Sequence, residues 1–222
     1  PLDGQARVVR PAAAAGCVLT THIRGEGDSL VSSVEEVIEI ARRAEMPVNV
    51  SHFKATGIHN WRDKIFTAID RIETARAKGQ PVSADFYPYD GGASMMQSLL
   101  PPSVLGGGGA KMLERLATAE GKAFFRREVY RHHPGWDNMV TSIGWERISV
   151  GSVTQPRYMT YSGRPISQLA RQLNYSDPAD FVADLLVAEG GKVGIIVHSM
   201  SQQDVDDIAR LPWTSLISDA LY

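Results

Sequence analysis

Three short segments of the first ninety residues decide the fold: GCVLTTHI at 16–23, PVNVSHF at 47–53 and PVSADFYPY at 81–89. Each begins at a Gly or a Pro and is rich in apolar and β-branched residues, which is typical of a buried strand. The segments recur about every 30 residues, and strands separated by helices at this spacing form a parallel sheet with right-handed crossovers. The sequence therefore predicts an α/β fold.

Helical periodicity fills the two intervals between these strands. In the first interval, Leu30, Val34 and Ala41 lie on one helical face, and Pro47 ends the helix. In the second, Ile65 and Ile72 share a stripe, and the helix ends at the Lys-Gly pair of residues 78–79. The predicted order is strand–helix–strand–helix–strand.

This alternation stops after residue 90 and resumes after residue 165. Residues 91–110 carry GGASMM, LLPPS and LGGGG, which favour turns and loops, and residues 135–165 indicate short antiparallel strands. Later segments, VGIIVHSM at 193–200 and TSLISDAL at 214–221, again resemble strands. We predict βα units over 1–90, an inserted segment or lid over 91–165, and the final strands over 166–222.

Composition excludes several classes of protein. Lys and Arg total 23 against 25 Asp and Glu, and no basic stripe indicates a nucleic-acid partner. No apolar run approaches the ~20 residues of a transmembrane helix, so no membrane partner is expected. A single cysteine excludes an internal disulfide. The first residues, PLDGQARVVRPAAAAG, lack the layout of a signal peptide, so we expect a cytoplasmic protein.

Metal-competent side chains lie at the predicted strand ends. His22 and His52 end the first two strands, Asp219 ends the last, and His198 lies near the end of the strand before it. Parallel α/β folds carry their functional groups at the carboxyl ends of strands. Two His and one Asp suit a divalent ion such as Zn²⁺, or the Asp serves as a general base. The alternative is structural, because strand-end His side chains also bond to backbone carbonyls.

Five motifs that follow one another in order carry a family resemblance: TTHIRGEGD, VNVSHFKATG, ADFYPYDGG, HSMSQQDV and PWTSLISDAL. With them, essentially the whole chain resembles the N-acyl-D-amino-acid deacylases, or D-aminoacylases, of the amidohydrolase superfamily. The resemblance implies a metal-dependent, TIM-like (β/α)₈ barrel with one or two zinc ions. It also implies a small-molecule substrate, an N-acyl-D-amino acid, whose amide bond is hydrolysed.

The same resemblance assigns roles to individual residues. It implies that His22 and His52 bind the metal and that Asp219 is catalytic, taking a proton from water and returning it to the leaving nitrogen. It also implies that Lys54 and Tyr87 hold the substrate carboxylate. On a strand, the spacing of two residues would keep Lys54 on the same face as His52.

Two assignments are less direct. The family often carries a hydroxyl residue shortly after the YPY motif; here Ala93 stands at that place and Ser94 follows it, so Ser94 is the candidate substrate-binding residue. A His that binds metal through one ring nitrogen is oriented by a partner on the other. Glu26, Thr20 and Thr21 lie close enough in sequence to be that partner.

The chain departs from the family pattern in having no His-x-His pair. Its first strand corresponds to the fifth of the family's barrel, so we expect a partial barrel with an inserted segment, inactive as an isolated fragment and depleted in metal. Exposed sheet edges then require a second copy or the remainder of the barrel. Only one strand should separate those of His52 and Asp219, so either ADFYPY or GIIVHSM must be irregular or belong to an extra element.

Two other functions remain open at this point. A cyclic-amide hydrolase of the hydantoinase or dihydroorotase type shares the logic of two His and one Asp, although the HFK and YPY motifs favour the deacylase. The chain by itself could also be a folded module without catalytic activity, because part of the family's metal ligands is missing.

Overall fold

The structure, a computed structural model, describes residues 2–220. The helices in this range are α1 (Leu2–Ala14), α2 (Leu30–Ala44), α3 (Asp63–Ala77), α4 (Pro102–Leu105), α5 (Gly109–Leu116), α6 (Ala119–Val129), α7 (Met139–Ile143), α8 (Ile166–Gln172), α9 (Pro178–Ala188) and α10 (Gln202–Ala209). The strands are β1 (Leu19–Thr21), β2 (Val48–Val50), β3 (Val82–Phe86), β4 (Gly92–Met95), β5 (Ile148–Ser152), β6 (Gly194–Val197) and β7 (Thr214–Leu216). Short 3₁₀ helices occur at Ile58–Asn60, Met96–Leu99, Trp145–Arg147 and Pro156–Tyr161.

Backbone contacts divide the described chain into two compact units. The first contains the residues up to Asp90 together with those from Met200 onward, and the second contains Gly91–Ser199. The second unit therefore extends beyond the predicted insertion at 91–165, because α9 packs against α5 and α6 and β6 pairs with β4 and β5. Only the last part of the predicted 166–222 segment lies in the first unit.

The first unit is built on a parallel sheet in the order β1-β2-β3-β7. Thr21 pairs with Val50, and Val50 pairs with Ala84, so the carboxyl ends of the first three strands are aligned. β7 joins the other side of β3, where Ala84 pairs with Thr214. The expected mixed α/β class with a parallel sheet is confirmed, and the chain places its strand-end residues along one edge.

Helices cover this sheet through the apolar stripes that the sequence indicates. Leu30, Val34 and Ala41 of α2 are fully buried, as are Ile65 and Ile72 of α3. They form one apolar cluster with Val48 and Val50 of β2 and Val82 and Ala84 of β3. Helix α1, which the sequence pattern did not predict, packs on α2.

The second unit contains an antiparallel sheet in the order β4-β6-β5. Ala93 pairs with Ile196, and Ser149 also pairs with Ile196 from the other side. Of the two strands that competed for a place in the parallel sheet, GIIVHSM therefore forms the extra element and ADFYPY forms β3. The expectation of only turns and loops over 91–110 is wrong, because the GGASM segment forms β4 as an edge strand beside β6.

Among residues 2–220, the helices fall short of the length and apolar character that crossing a membrane requires.

The core of the second unit is a separate apolar cluster under its helices and sheet. It includes Phe125 of α6, Leu186 of α9 and Ile195 of β6. Each unit thus has a core of its own.

Replacing Ile195 with Ala should destabilise the second unit by about 2–5 kcal/mol, because the side chain is almost completely buried and its loss leaves a cavity. Ile196 on the same strand is 38% exposed and provides the matched control, for which Ile196→Ala should cost about 1 kcal/mol or less. Urea denaturation of both variants measures the difference. Equal losses of stability would contradict the observation that β6 buries Ile195 and exposes Ile196.

Candidate metal centre

Two histidines meet at the carboxyl edge of the parallel sheet. His22 follows Thr21, the last residue of β1, and His52 follows the end of β2 by two residues. A hydrogen bond from the Ser51 N–H to the Thr21 carbonyl, at 3.0 Å, continues the strand pairing up to this point. As a result His22 Nδ1 lies 3.0 Å from His52 Nε2.

The backbone of His52 is held in an uncommon conformation. Its φ of 39° is in the left-handed region, where a residue with a side chain is stable only if its surroundings fix it. The His52 N–H donates to Asp85 Oδ1 at 2.5 Å, and Asn49 Nδ2 donates to Asp85 Oδ2 at 2.5 Å. Sequence reasoning missed Asp85, although a carboxylate within the strand VSADF, whose Val82, Ala84 and Phe86 are buried, was an available signal.

Glu26 forms the third member of the cluster. Its Oε1 lies 2.8 Å from His52 Nδ1, 2.6 Å from Lys54 Nζ and 3.7 Å from His22 Nδ1. The loop that carries Glu26 is fixed at both sides, since the Gly25 N–H donates to Ser33 Oγ and the Thr56 N–H donates to the Glu26 carbonyl. Of the three partners proposed from sequence, Glu26 is therefore the one that contacts a histidine ring.

The charges of this cluster are partly removed from water. The side chains of Glu26 and Lys54 are only 14% and 12% exposed. Burial raises the pKa of Glu26, but the hydrogen bond from His52 and the charge of Lys54 together outweigh it, and the pKa lies below its usual value. Burial lowers the pKa of Lys54, and the negative charge of Glu26 offsets part of this effect. Glu26 is therefore a stable carboxylate at neutral pH.

Lys54 lies in the loop after β2, not on a strand, so the strand-face argument for its position is wrong. Its Nζ is nevertheless 2.8 Å from both Nδ1 and the carbonyl oxygen of His52. It also lies 5.3 Å from the centre of the Tyr87 ring. These residues line a pocket with a mainly apolar wall: His52, Phe53, Lys54, Phe86, Tyr87, Met200, Val205 and Ile208.

Tyr87 is a protonated phenol in this pocket. The residue is only 7% exposed, and burial, followed by the negative charges of Glu26 and Asp219, raises its pKa well above the usual value. A phenol that stays protonated can donate a hydrogen bond to an anion. Tyr89 stacks beside it at a centroid distance of 6.3 Å.

Asp219 follows β7 by three residues and is exposed. The Ile217 N–H donates to the Phe86 carbonyl, so the chain beyond β7 stays beside the end of β3. Asp219 has a φ of 49°, which Asp tolerates better than most residues. It is close enough for its charge to raise the pKa of both Lys54 and Tyr87.

Ser94 belongs to the second unit. It lies on β4 in the second unit, where its Oγ donates to Ser98 Oγ at 3.1 Å. The structure therefore brings His22, His52, Lys54, Tyr87 and Asp219 together in the first unit, whereas the role expected for Ser94 stays a prediction.

The two histidine nitrogens of the cluster are spaced to fit a divalent ion. Within residues 2–220, His22, Glu26 and His52 form a group whose possible ligand atoms all lie within 4.8 Å of one another. Two nitrogens that share a tetrahedral zinc at about 2.0–2.1 Å lie about 3.3 Å apart, close to the 3.0 Å between the two rings. The His22 side chain is 64% exposed, so further ligands have access from this side.

No family model matches the chain, but curated relatives match parts of it or most of it. The chain is 41% identical over 95 residues to N-acyl-D-glutamate deacylase of Alcaligenes xylosoxydans xylosoxydans, an alignment that covers 43% of this chain and 19% of the relative. It is 26% identical over 207 residues to N-acyl-D-aspartate deacylase of the same organism, which covers 93% of this chain and 31% of the relative.

Solved structures agree with these relatives. The crystal structure of D-aminoacylase, which defines a novel subset of amidohydrolases, superposes with a TM-score of 0.63 at 25% identity over 97% of this chain and 35% of that one. The chain is similar to part of the N-acyl-D-amino-acid deacylases. N-acyl-D-glutamate deacylase from Bordetella bronchiseptica, complexed with zinc and a phosphonate inhibitor, shares the fold with a TM-score of 0.66 at 24% identity over 99% of this chain and 36% of that one.

These matches confirm the resemblance carried by the five motifs, and they also define its extent. The chain spans about a fifth to a third of the length of the curated relatives.

Replacing Asp85 with Ala should lower the free energy of unfolding by about 1–3 kcal/mol, because it leaves the partly buried His52 N–H and Asn49 side-chain amide without their acceptor. The matched control is Asp70→Ala on α3, where an exposed ion pair with Arg71 contributes at most about 1 kcal/mol. Urea denaturation compares the two variants. If Asp85→Ala were as stable as Asp70→Ala, Asp85 would not be what fixes the His52 backbone.

Proposed function

We propose that the chain provides the metal-binding and carboxylate-binding part of an enzyme that hydrolyses the amide bond of N-acyl-D-amino acids. One observation carries this proposal. Two facing histidine nitrogens and a buried lysine beside a tyrosine occur within a single cluster at the carboxyl edge of a parallel sheet. The first pair suits a divalent ion, and the second suits the free carboxylate of the substrate.

His22 and His52 would hold the ion, and zinc is the ion we propose. A bound zinc ion lowers the pKa of water and polarises a carbonyl group. Neutral imidazole is the form of histidine that binds metal.

Asp219, Lys54 and Tyr87 would act on the substrate and on water. Asp219 is exposed, so its carboxylate is open to water, from which it can accept a proton and pass it to the leaving nitrogen. The Lys54 ammonium would pair with the substrate carboxylate, and the protonated phenol of Tyr87 would donate a hydrogen bond to it.

The cyclic-amide hydrolases are the second candidate. A hydantoin or dihydroorotate ring is opened by the same metal chemistry, but neither ring carries a free carboxylate on the carbon bonded to the scissile nitrogen. The buried Lys54 and Tyr87 favour a substrate that has this carboxylate. Assay of the protein that carries this chain on N-acetyl-D-amino acids, their L-enantiomers and hydantoins distinguishes the candidates, and turnover of hydantoins alone would reject the deacylase.

Metal content tests the histidine pair. We expect the chain to hold zinc at a reduced level, as the missing family ligands imply, and we expect His22→Ala and His52→Ala to remove most of it, because each variant loses one of two imidazole ligands. His132→Ala, at an exposed position in the second unit, is the control and should retain the zinc content of the wild type. Elemental analysis after gel filtration measures the ratio of zinc to protein. Undiminished zinc in both site variants would reject this metal site.

Ligand binding tests the lysine. Binding of an N-acetyl-D-amino acid to the zinc-loaded chain should weaken about 10- to 100-fold in Lys54→Met, since a charge-assisted hydrogen bond contributes roughly 1.5–3 kcal/mol. Lys64→Met is the control, because Lys64 contacts Asp28 outside the pocket. Isothermal titration calorimetry gives the dissociation constant of the ligand for each variant. Equal affinities for the two variants would remove Lys54 from the carboxylate site.

We further propose that the edges of the parallel sheet are covered by a second copy of the chain or by the remainder of a barrel. Unpaired strand edges expose backbone donors and acceptors that readily pair with another chain. Gel filtration with light scattering measures the oligomeric state, and a stable monomer without exposed apolar surface would argue against this covering. The expected cytoplasmic location also stays a proposal.

A further inference from the structure

We propose that Glu26 is a positioning residue that selects the metal-binding form of His52, with Lys54 holding its carboxylate in place. This inference rests on the proposed function, because it concerns the same metal site. It goes beyond that function by assigning a specific role to Glu26, which accepts the Nδ1–H of His52 so that the lone pair on Nε2 faces His22.

The two nitrogens of the His52 ring face different partners. Nε2 lies 3.0 Å from His22 Nδ1, and Nδ1 lies 2.8 Å from Glu26 Oε1. A neutral imidazole carries its proton on only one of the two nitrogens. A carboxylate accepts hydrogen bonds and donates none, so it favours the form with the proton on Nδ1. That form leaves Nε2 unprotonated on the side where the second histidine stands.

Lys54 fixes the carboxylate that makes this selection. Its Nζ donates to the same oxygen, Glu26 Oε1, at 2.6 Å and to the His52 carbonyl at 2.8 Å. Two donors, Nζ and Nδ1, therefore converge on one oxygen, which accounts for their separation of 2.8 Å. Lys54 thereby prevents the Glu26 side chain from turning away from the ring.

The same contacts argue against Glu26 as a direct ligand of the ion. Oε1 already accepts from an ammonium and a ring N–H, and a divalent ion on this oxygen would stand close to the positive charge of Lys54. A histidine that binds metal through one nitrogen and donates from the other to a carboxylate is a recurrent arrangement, and losing the carboxylate costs about 10- to 100-fold in metal affinity.

The first test is the state of the His52 ring in the metal-free chain. Nitrogen-15 NMR of the imidazole reports which nitrogen carries the proton, and we expect Nδ1–H in the wild type. This measurement needs no variant, so it does not depend on how well a variant folds. A wild-type ring with its proton on Nε2 would overturn the proposal, because Nδ1 would then accept from Lys54 instead of donating to Glu26.

The second test uses Glu26→Gln. We expect its zinc affinity, measured by competition with a chelator, to fall about 10- to 100-fold and the His52 nitrogen resonances to shift. Glu36→Gln is the matched control, because Glu36 pairs with Arg24 through two hydrogen bonds on the neighbouring helix and should change neither quantity. Zinc affinity within about twofold of the wild type together with unchanged His52 resonances would overturn the proposal.

The two proposals fail in different ways. Suppose that the protein hydrolyses no N-acyl-D-amino acid, but Glu26→Gln shifts the His52 nitrogen resonances and lowers the zinc affinity as expected. The proposed function then fails and the role of Glu26 stands. If hydrolysis occurs but neither readout responds, the role of Glu26 fails alone. X-ray absorption that shows an oxygen ligand lost from zinc in Glu26→Gln would overturn the positioning role in favour of direct binding.

Discussion

The in-register parallel pairing of β1, β2 and β3 is the constraint on which the rest of the first unit depends. Because Thr21, Val50 and Ala84 are aligned across three strands, the residues that follow them reach one edge together. Tight packing of α2 and α3 on the strands fixes this alignment, since a shifted strand would move its apolar residues out of the core. The meeting of His22 and His52 follows from it directly.

The alignment alone does not arrange the polar atoms. His52 has a left-handed backbone, and Asp85 from the next strand holds it through the backbone N–H. Glu26 reaches the ring from the loop after β1, whose position is set by contacts with α2 and with the loop after β2. Partial burial of Glu26, His52 and Lys54 then strengthens the electrostatic contacts among them, because water screens these contacts less.

Much of this unit could be predicted from sequence, and the reason is local. Period and composition identify strands and helices, and His22 and His52 stand out because they close two of the strands. The family motifs added the roles expected for Lys54, Tyr87 and Asp219. Glu26 could be named only as one of three candidate partners of a histidine ring, and Asp85 was missed. The residues next to a side chain in the sequence do not show which residue of a distant segment it will contact.

The second unit shows the same limit for a whole strand. VGIIVHSM has the apolar character of a buried strand, but that character fits a parallel and an antiparallel sheet equally well. Its pairing with β4 and β5 depends on residues about 45 and 100 positions away in the chain. This long-range pairing removes β6 from the parallel sheet and leaves β7 as the neighbour of β3.

The sequence by itself determined the α/β class, the first two strands of the parallel sheet and the two histidines that follow them, because each depends on periodicity and residue type within a short window. Tertiary structure alone decided which carboxylates contact His52, where Lys54 points and which sheet β6 joins. Those features depend on contacts between segments that are distant in the sequence. Such contacts form only when the apolar faces of the two segments are buried together.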